Sequence, residues 1–207
     1  MKIALLGATG RTGRLVLSAG LGRGHQITAL VRDPHLVDSL GALATRTVCG
    51  DGTDPAAVTD AVAGQDAIVV AVSSRGAKIS VTSAVARAVL TAAETGGVSR
   101  LVFTSTYGMV ATRPILLAGI LRRVFAEPFR EQRLADEAVS SSSSDWTILR
   151  ATRLTDQPES GLVRVTDEPL TSGPFSLSRA DLAQKLLELV ERDQGIRTVL
   201  NISGARK

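Results

Sequence analysis

The sequence predicts an α/β protein with a doubly wound, mostly parallel, Rossmann-like sheet, formed as a single domain over residues 1–207. Three observations predict it. Short aliphatic runs alternate with helix-length segments along the chain. Hydrophobic residues make up 44% of the chain but aromatics only 3%. The core is therefore Val, Leu, Ile and Ala, which suits strands buried on both faces. The first run, Lys2-Ile3-Ala4-Leu5-Leu6, leads into Gly7-Ala8-Thr9-Gly10-Arg11-Thr12-Gly13 and then into a segment carrying Leu15, Val16, Leu17 and Leu21. Strand, glycine-rich turn and helix in that order are the setting of a dinucleotide fingerprint.

The remaining elements follow in order. Gln26-Ile27-Thr28-Ala29-Leu30-Val31 reads as the second strand, closed by Arg32-Asp33-Pro34. Arg46-Thr47-Val48-Cys49 is a short third strand ending at Gly50-Asp51-Gly52. Asp54 caps a helix over residues 56–62, with Pro55 at its first position. Residues 66–72 form a central strand, and an alanine- and valine-rich helix covers 81–95 until Gly96-Gly97 stops it. Leu101-Val102-Phe103-Thr104-Ser105 is the fifth strand. Segments 114–124 and 128–139 read as helices, and the serine run 140–144 as a turn. Trp146-Thr147-Ile148-Leu149 is the sixth strand, Leu162-Val163-Arg164-Val165 a peripheral one, and Thr198-Val199-Leu200-Asn201-Ile202 the last. Between them, Ser178-Arg179-Ala180-Asp181 is a capping box opening a helix with Leu182, Leu186, Leu189 and Val190 on one face.

Composition narrows the function classes. The formal charge is +4, but the basic residues are scattered rather than gathered in a patch. Nucleic acid is not an expected partner; an anionic cofactor and substrate fit the excess. The single cysteine, Cys49, gives neither a disulfide framework nor a cysteine-based metal site, and is expected to be buried and inert. No metal is expected. No apolar run reaches about 18 residues, so no membrane span is expected, and because the first strand begins at once, no leader is expected. The expected compartment is the cytoplasm.

The motif residues have a backbone logic. Glycines let the chain turn tightly and let a pyrophosphate approach the main chain, while the helix N-terminus offers unpaired N–H groups and a positive dipole end. Gly7, Thr9, Gly10, Arg11, Thr12 and Gly13 are therefore cofactor-binding candidates, although the spacing is G-x-x-G-x-x-G rather than G-x-G-x-x-G. In open α/β sheets ligands sit outside the carboxyl ends of the strands. That edge also collects Arg32, Asp51, Gly52, Ser73, Ser74, Arg75, Thr104, Ser105, Arg150 and Arg153. Arg32 carries most information. NAD enzymes commonly place an acid about twenty residues past the glycines, to take the ribose hydroxyls, whereas positive charge there suits the 2′-phosphate of NADP. Arg11 offers a second contact. Asp51 suits the adenine amino group and Gly52 leaves room for the flat ring, or the three residues form a plain Gly-Asp-Gly turn.

With these residues in place, the chain resembles the atypical short-chain dehydrogenase/reductases of the NAD(P)-binding, NmrA-like kind. Within them it is most similar to the biliverdin-IXβ reductases, also known as NADPH-dependent flavin reductases. The likeness runs nearly end to end, through the fingerprint, Leu30-Val31-Arg32-Asp33, Gly50-Asp51, Val62-Ala63-Gly64-Gln65-Asp66-Ala67, Thr104-Ser105, and Asp156-Gln157-Pro158 with Gly161. The resemblance implies that Thr9, Gly10, Arg11 and Thr12 bind the pyrophosphate, Arg32 the 2′-phosphate, and Asp51 and Gly52 the adenine of NADP(H). It implies that Ser73, Ser74 and Arg75 line the cofactor after the fourth strand. Ser105 would stand beside the nicotinamide and help organise proton delivery. The substrate cleft would come from the C-terminal part, about residues 105–175.

The sequence also departs from that family. Arg153 stands where the family has His, and Ala151 and Thr152 where it has prolines. His25 and His35 lie early in the chain, away from the substrate edge. The Tyr-x-x-x-Lys pair of ordinary short-chain dehydrogenases is missing too: Tyr107 has Ala111 four residues on, and Gln132 falls where relatives often keep a lysine. Alcohol–ketone chemistry needs a phenol whose pKa a nearby lysine lowers, so that chemistry is excluded. The expected activity is NADPH-dependent hydride transfer to an intrinsically electrophilic acceptor: a flavin, a quinone or a linear tetrapyrrole. Ser105 is the catalytic candidate. Arg150 and Arg153 would hold an anionic tail, and Tyr107 either walls the cleft or packs in the core. The competing reading is a non-catalytic NADP(H) sensor. Monomer and homodimer are equally open, because helix faces that build a dimer look like those that build a core.

Overall fold

The computed structural model describes residues 1–36, 44–72, 81–111 and 123–205. An eight-stranded sheet runs in the order β3-β2-β1-β4-β5-β6-β10-β8. Its inner strands are β1 (Lys2–Leu6), β2 (Gln26–Val31), β4 (Ala67–Val70), β5 (Arg100–Thr106), β6 (Asp145–Ala151) and β10 (Thr198–Gly204). β3 (Arg46–Cys49) forms one edge. β8 (Val163–Thr166) forms the other and is antiparallel to β10, while the other pairings in this sheet are parallel. The fold is thus a Rossmann-like α/β sheet with one antiparallel edge strand.

Five helices cover it among the described residues. α1 (Arg11–Gly22) and α5 (Arg179–Glu191) pack on one face, where Val16, Leu17, Leu182 and Leu186 close over Ile3, Leu5 and Leu149. α2 (Pro55–Val62), α3 (Thr82–Gly96) and α4 (Ala126–Ser140) pack on the other, where Val58, Val89 and Val139 meet Ala4, Ile68 and Phe103. Both faces of β4 are buried, as its unbroken apolar run requires. Local chemistry sets the helix starts as read from sequence. Asp54 accepts from the Ala56 amide with Pro55 at the first position, and the Ser178 hydroxyl accepts from the Asp181 amide.

The structure corrects and extends the reading. Cys49 is exposed, not buried. β3 is a four-residue edge strand, and only Val48 of it turns into the core. A second sheet of two three-residue strands, β7 (Arg153–Thr155) and β9 (Ser176–Ser178), stands beside the main one. Most of the helix expected over 114–124 lies outside the described residues. No helix among the described residues is long and apolar enough to cross a membrane.

Candidate functional site

The fingerprint turn is shaped by two different glycine requirements. Gly7 has φ +89°, and a Cβ there would sit 2.5 Å from the Ala71 carbonyl oxygen. A Cβ on Gly13 would sit 2.0 Å from the Gly7 carbonyl oxygen. Both glycines therefore serve the packing of turn, strand and helix. Gly10 differs: its Cβ would meet only the Gly7 oxygen, at 3.2 Å. Gly10 is the N-cap of α1, no side chain caps that end, and the first turn carries no acid. The amides there lack the usual side-chain acceptor, and the approach over Gly10 is open, so the turn fits a pyrophosphate. The Arg14 guanidinium braces it from outside, donating from Nε to the Thr9 carbonyl at 3.0 Å.

Arg32 follows β2 and is exposed. Asp51 follows β3 on the same edge. Its Oδ1 accepts from both the amide and the hydroxyl of Thr53 at 2.8 Å. Those two bonds, with a smaller contribution from the nearby positive charge of Arg32, hold the carboxyl below its ordinary range. Arg32 and Asp51 follow the paired ends of β2 and β3, where Val31 registers with Cys49. A Cβ on Gly52 would make only ordinary contact with Val85, at 3.4 Å, so the fold itself does not demand glycine there. The Thr104 hydroxyl donates to the Val70 carbonyl at 2.9 Å and ties β5 to β4. Ser73, Ser74 and Arg75 lie outside the described residues.

Arg11 is turned toward the C-terminal half. Its Nη1 pairs with Asp156 Oδ2 at 3.0 Å, while Arg179 Nη1 pairs with Asp156 Oδ1 at 2.6 Å. Asp156 thus joins the first turn of α1 to the first turn of α5. The loop after it is held by Asp181, which accepts from the amides of Ser160 and Gly161 and the hydroxyls of Ser160 and Ser178. Burial pushes the Asp181 carboxyl up, but these donors outweigh it and the group titrates below its ordinary range.

Ser105 lies near the carboxyl end of β5 and is buried. Its hydroxyl donates to Asp136 Oδ2 at 3.0 Å. Arg150, the register partner of Ser105 on β6, donates to the same oxygen from Nε and Nη2, each at 3.1 Å. Gln132, one turn earlier on α4, donates to Asp136 Oδ1 at 3.1 Å. The Asp136 side chain is only 5% exposed. Its burial raises the carboxyl above the ordinary range, against the opposing pull of Gln132, Ser105 and Arg150. Sequence reasoning missed Asp136. The available signal was its place on the inner face of α4 with Ala135 and Val139, four residues after Gln132.

The two other substrate candidates part company here. Tyr107 is buried, and its hydroxyl both accepts from the Leu170 amide at 2.9 Å and donates to the Leu170 carbonyl at 3.2 Å. It is a core residue pinning the 167–172 segment, not a free cleft wall. Arg153 is exposed on β7. Arg150, expected at an anionic substrate, is instead the counter-ion of Asp136.

A doubly wound sheet with a phosphate-shaped turn after β1 and a polar cluster at the ends of β5 and β6 defines a dinucleotide-binding Rossmann protein. The comparisons narrow the class: the NAD(P)H-binding family matches residues 7–193, and the chain belongs to that family. Solved structures superpose over nearly the whole chain. The oxidoreductase YlbE of Lactococcus lactis is 25% identical with a TM-score of 0.85, covering 100% of this chain and 92% of that one. ChuY, described as an anaerobillin reductase of Escherichia coli O157:H7, is 22% identical with a TM-score of 0.87, covering 99% and 97%. A short-chain dehydrogenase/reductase of Veillonella parvula, solved in complex with NADP, is 18% identical with a TM-score of 0.81, covering 98% and 94%. At such identities the last two speak for the fold.

Proposed function

We propose that the protein is an NADPH-dependent oxidoreductase of the flavin and biliverdin reductase kind within the NmrA-like group, acting on a flavin, a quinone or a linear tetrapyrrole. The observation that carries the reading is the pair of features on one sheet edge: an open, uncapped fingerprint turn and a buried Ser105–Asp136–Arg150 cluster. Family membership and the description of ChuY as a reductase support it. Arg32 beside Asp51 favours NADPH over NADH, because a guanidinium pairs strongly with a 2′-phosphate.

The bound cofactor supplies the hydride, and the protein's part is to orient and to handle the proton. Gly10 and the first amides of α1 hold the pyrophosphate. Among the described residues bonded to Asp136, Ser105 presents the hydroxyl. The tyrosine–lysine apparatus of alcohol dehydrogenases is replaced by groups with other duties: Tyr107 is bonded to Leu170 and Gln132 to Asp136. An acceptor that is already electrophilic suits such a site. The substrate cleft comes from the C-terminal part of a single domain, with Arg153 reaching an anionic tail.

The test is steady-state NADPH oxidation by the purified protein with FMN, riboflavin, a quinone and biliverdin. Turnover with one or more supports the reading. Tight NADPH binding with no turnover on any of them overturns it in favour of an NADP(H) sensor. Arg153→Ala is expected to raise KM more than it lowers kcat, the pattern of a lost uniform-binding contact.

A further inference from the structure

Aromatic side chains are scarce in this chain: four phenylalanines, one tyrosine and one tryptophan. Phe103, Tyr107 and Trp146 are buried in the core. Phe125 is instead 43% exposed, and the half-buried Phe129 stands against it. The two ring centroids lie 5.9 Å apart, with the planes tilted by 36°. Val124, next in sequence, is exposed as well. A single exposed apolar residue needs no explanation, whereas several side by side are the usual mark of a binding surface. We propose that Phe125 and Phe129 form an aromatic platform on which the fused planar ring of the acceptor lies. The inference rests on the reductase reading above and assigns its acceptor a surface.

The place of the pair in the fold points to a small ligand. α4 leads into β6, so its first turns stand at the carboxyl ends of the strands. Phe125, Phe129, Gln132 and Asp136 follow one another at helical spacing and share one side of α4. Asp136 holds Ser105, and Gln132 holds Asp136. Phe129 and Phe125 continue that line outward, past the end of β5. The Phe129 ring lies over the turn Tyr107–Met109 that follows β5: a Cβ on Gly108 would sit 3.2 Å from its Cζ. Glycine at that position lets the ring approach the backbone just beyond Ser105. The pair therefore borders the Ser105 cluster at the strand ends, where open α/β sheets take their ligands.

Chemistry selects the occupant. Phenylalanine rings attract another flat π-system by offset stacking or edge contact. They ask nothing of its hydrogen-bonding groups. Two rings side by side cover more of a fused system than of a single ring. A flavin and a naphthoquinone share that flat, fused ring; a linear tetrapyrrole lacks it.

The experiment measures binding apart from turnover. Riboflavin and menadione, neither of which has an anionic tail, are titrated into the NADP⁺-saturated protein by calorimetry. The unmodified protein is expected to bind at least one of them. Phe125→Ala and Phe129→Ala should each weaken that binding about tenfold, the scale of a lost ring contact and its buried area. The NADP⁺ dissociation constant should not change. Loss with riboflavin alone identifies a flavin ring, and with menadione alone a quinone. Phe125→Trp keeps a flat ring and should keep the affinity. An indole stacked on either ring loses or quenches emission, so fluorescence of this variant's complex should fall on binding. Unchanged affinity in both alanine variants overturns the platform, as does a Phe125→Trp protein that binds the ring without quenching. Alanine variants that lose NADP⁺ along with the ring assign the pair to the fold and overturn it too. So does a dimer of the unmodified protein that dissociates in Phe125→Ala, which makes the pair an interface between copies. If neither ring binds the unmodified protein, the platform fails, while NADPH oxidation with biliverdin still sustains the reductase reading. Ring binding that depends on both phenylalanines, with no NADPH oxidation by any acceptor, overturns the reductase reading and leaves the platform as a binding site alone.

Discussion

At the scale of single residues, similar side chains divide sharply by their partners. Arg32 is exposed beside Asp51, while Arg150 is held by Asp136 and Arg11 by Asp156. Among the described residues, Arg32 is the proposed reader of the 2′-phosphate. Arg32→Ala is expected to remove about 1.5–3 kcal/mol of NADPH affinity, the scale of a hydrogen bond to a charged group, and to leave NADH binding unchanged. Titration calorimetry with both cofactors checks this; equal affinities in the unmodified protein would contradict it. Thr152 supplies a different test. It is 6% exposed, and its hydroxyl has no hydrogen-bond partner among the described residues. A buried hydroxyl without a partner costs about 1–3 kcal/mol. Thr152→Val, nearly the same shape, is therefore expected to raise Tm by a few degrees in thermal denaturation. The sequence raised the first of these as an expectation, because charge after β2 bears on cofactor choice in this fold. It could not show the second, nor Asp136, because burial of one polar side chain depends on which strand its helix covers.

At the scale of elements, legibility followed the strength of local signals. Strands with unbroken apolar runs, such as β1 and β4, and helices opened by Asp54 and Ser178 were plain in the sequence. The three-residue strands β7 and β9 were not, since each is defined by the other and not by its own periodicity. Cys49 misled for the same reason: an apolar run looks alike at the edge and in the middle of a sheet. The capping box of α5 does more than start a helix. Asp181 gathers Ser160 and Gly161 to the helix start, so the loop after Asp156 is fixed from α5. Its lowered titration has a definite sign. The native state binds fewer protons than the unfolded chain, so Asp181 adds stability above the ordinary aspartate range. That contribution is lost as pH falls through the native value. Asp181→Asn is expected to lower Tm at neutral pH and to flatten the acid side of the Tm–pH curve; an unchanged acid side would remove Asp181 from the account.

At the scale of the whole molecule, the candidate cofactor edge brings together segments far apart in sequence. The turn after β1 begins near residue 7 and α5 at residue 179, yet Asp156 holds Arg11 and Arg179 together. A dinucleotide lying along this edge would touch the fingerprint, the ends of β2 and β3, and the Ser105 cluster at once. It would therefore link elements far apart in sequence, and its binding energy would appear as global stability. At a ligand concentration of about 100 times the dissociation constant, the gain is about 2.7 kcal/mol. In a chain of this size each kcal/mol raises Tm by about 2–4 °C, so saturating NADPH is expected to raise Tm by about 5–11 °C. NADH at the same concentration should give a clearly smaller shift, because it lacks the phosphate for Arg32. Gly10→Val separates ligand from fold. A Cβ at Gly10 meets only the Gly7 oxygen, so the unliganded protein should lose about 1 kcal/mol, the cost of a poor N-cap. With the pyrophosphate approach blocked, NADPH should no longer raise its Tm. Gly13→Ala reverses the pattern, since its Cβ would strike backbone at 2.0 Å and destabilise the unliganded fold. A Gly10→Val protein that still shows the full NADPH shift would mean that the dinucleotide binds somewhere other than this turn.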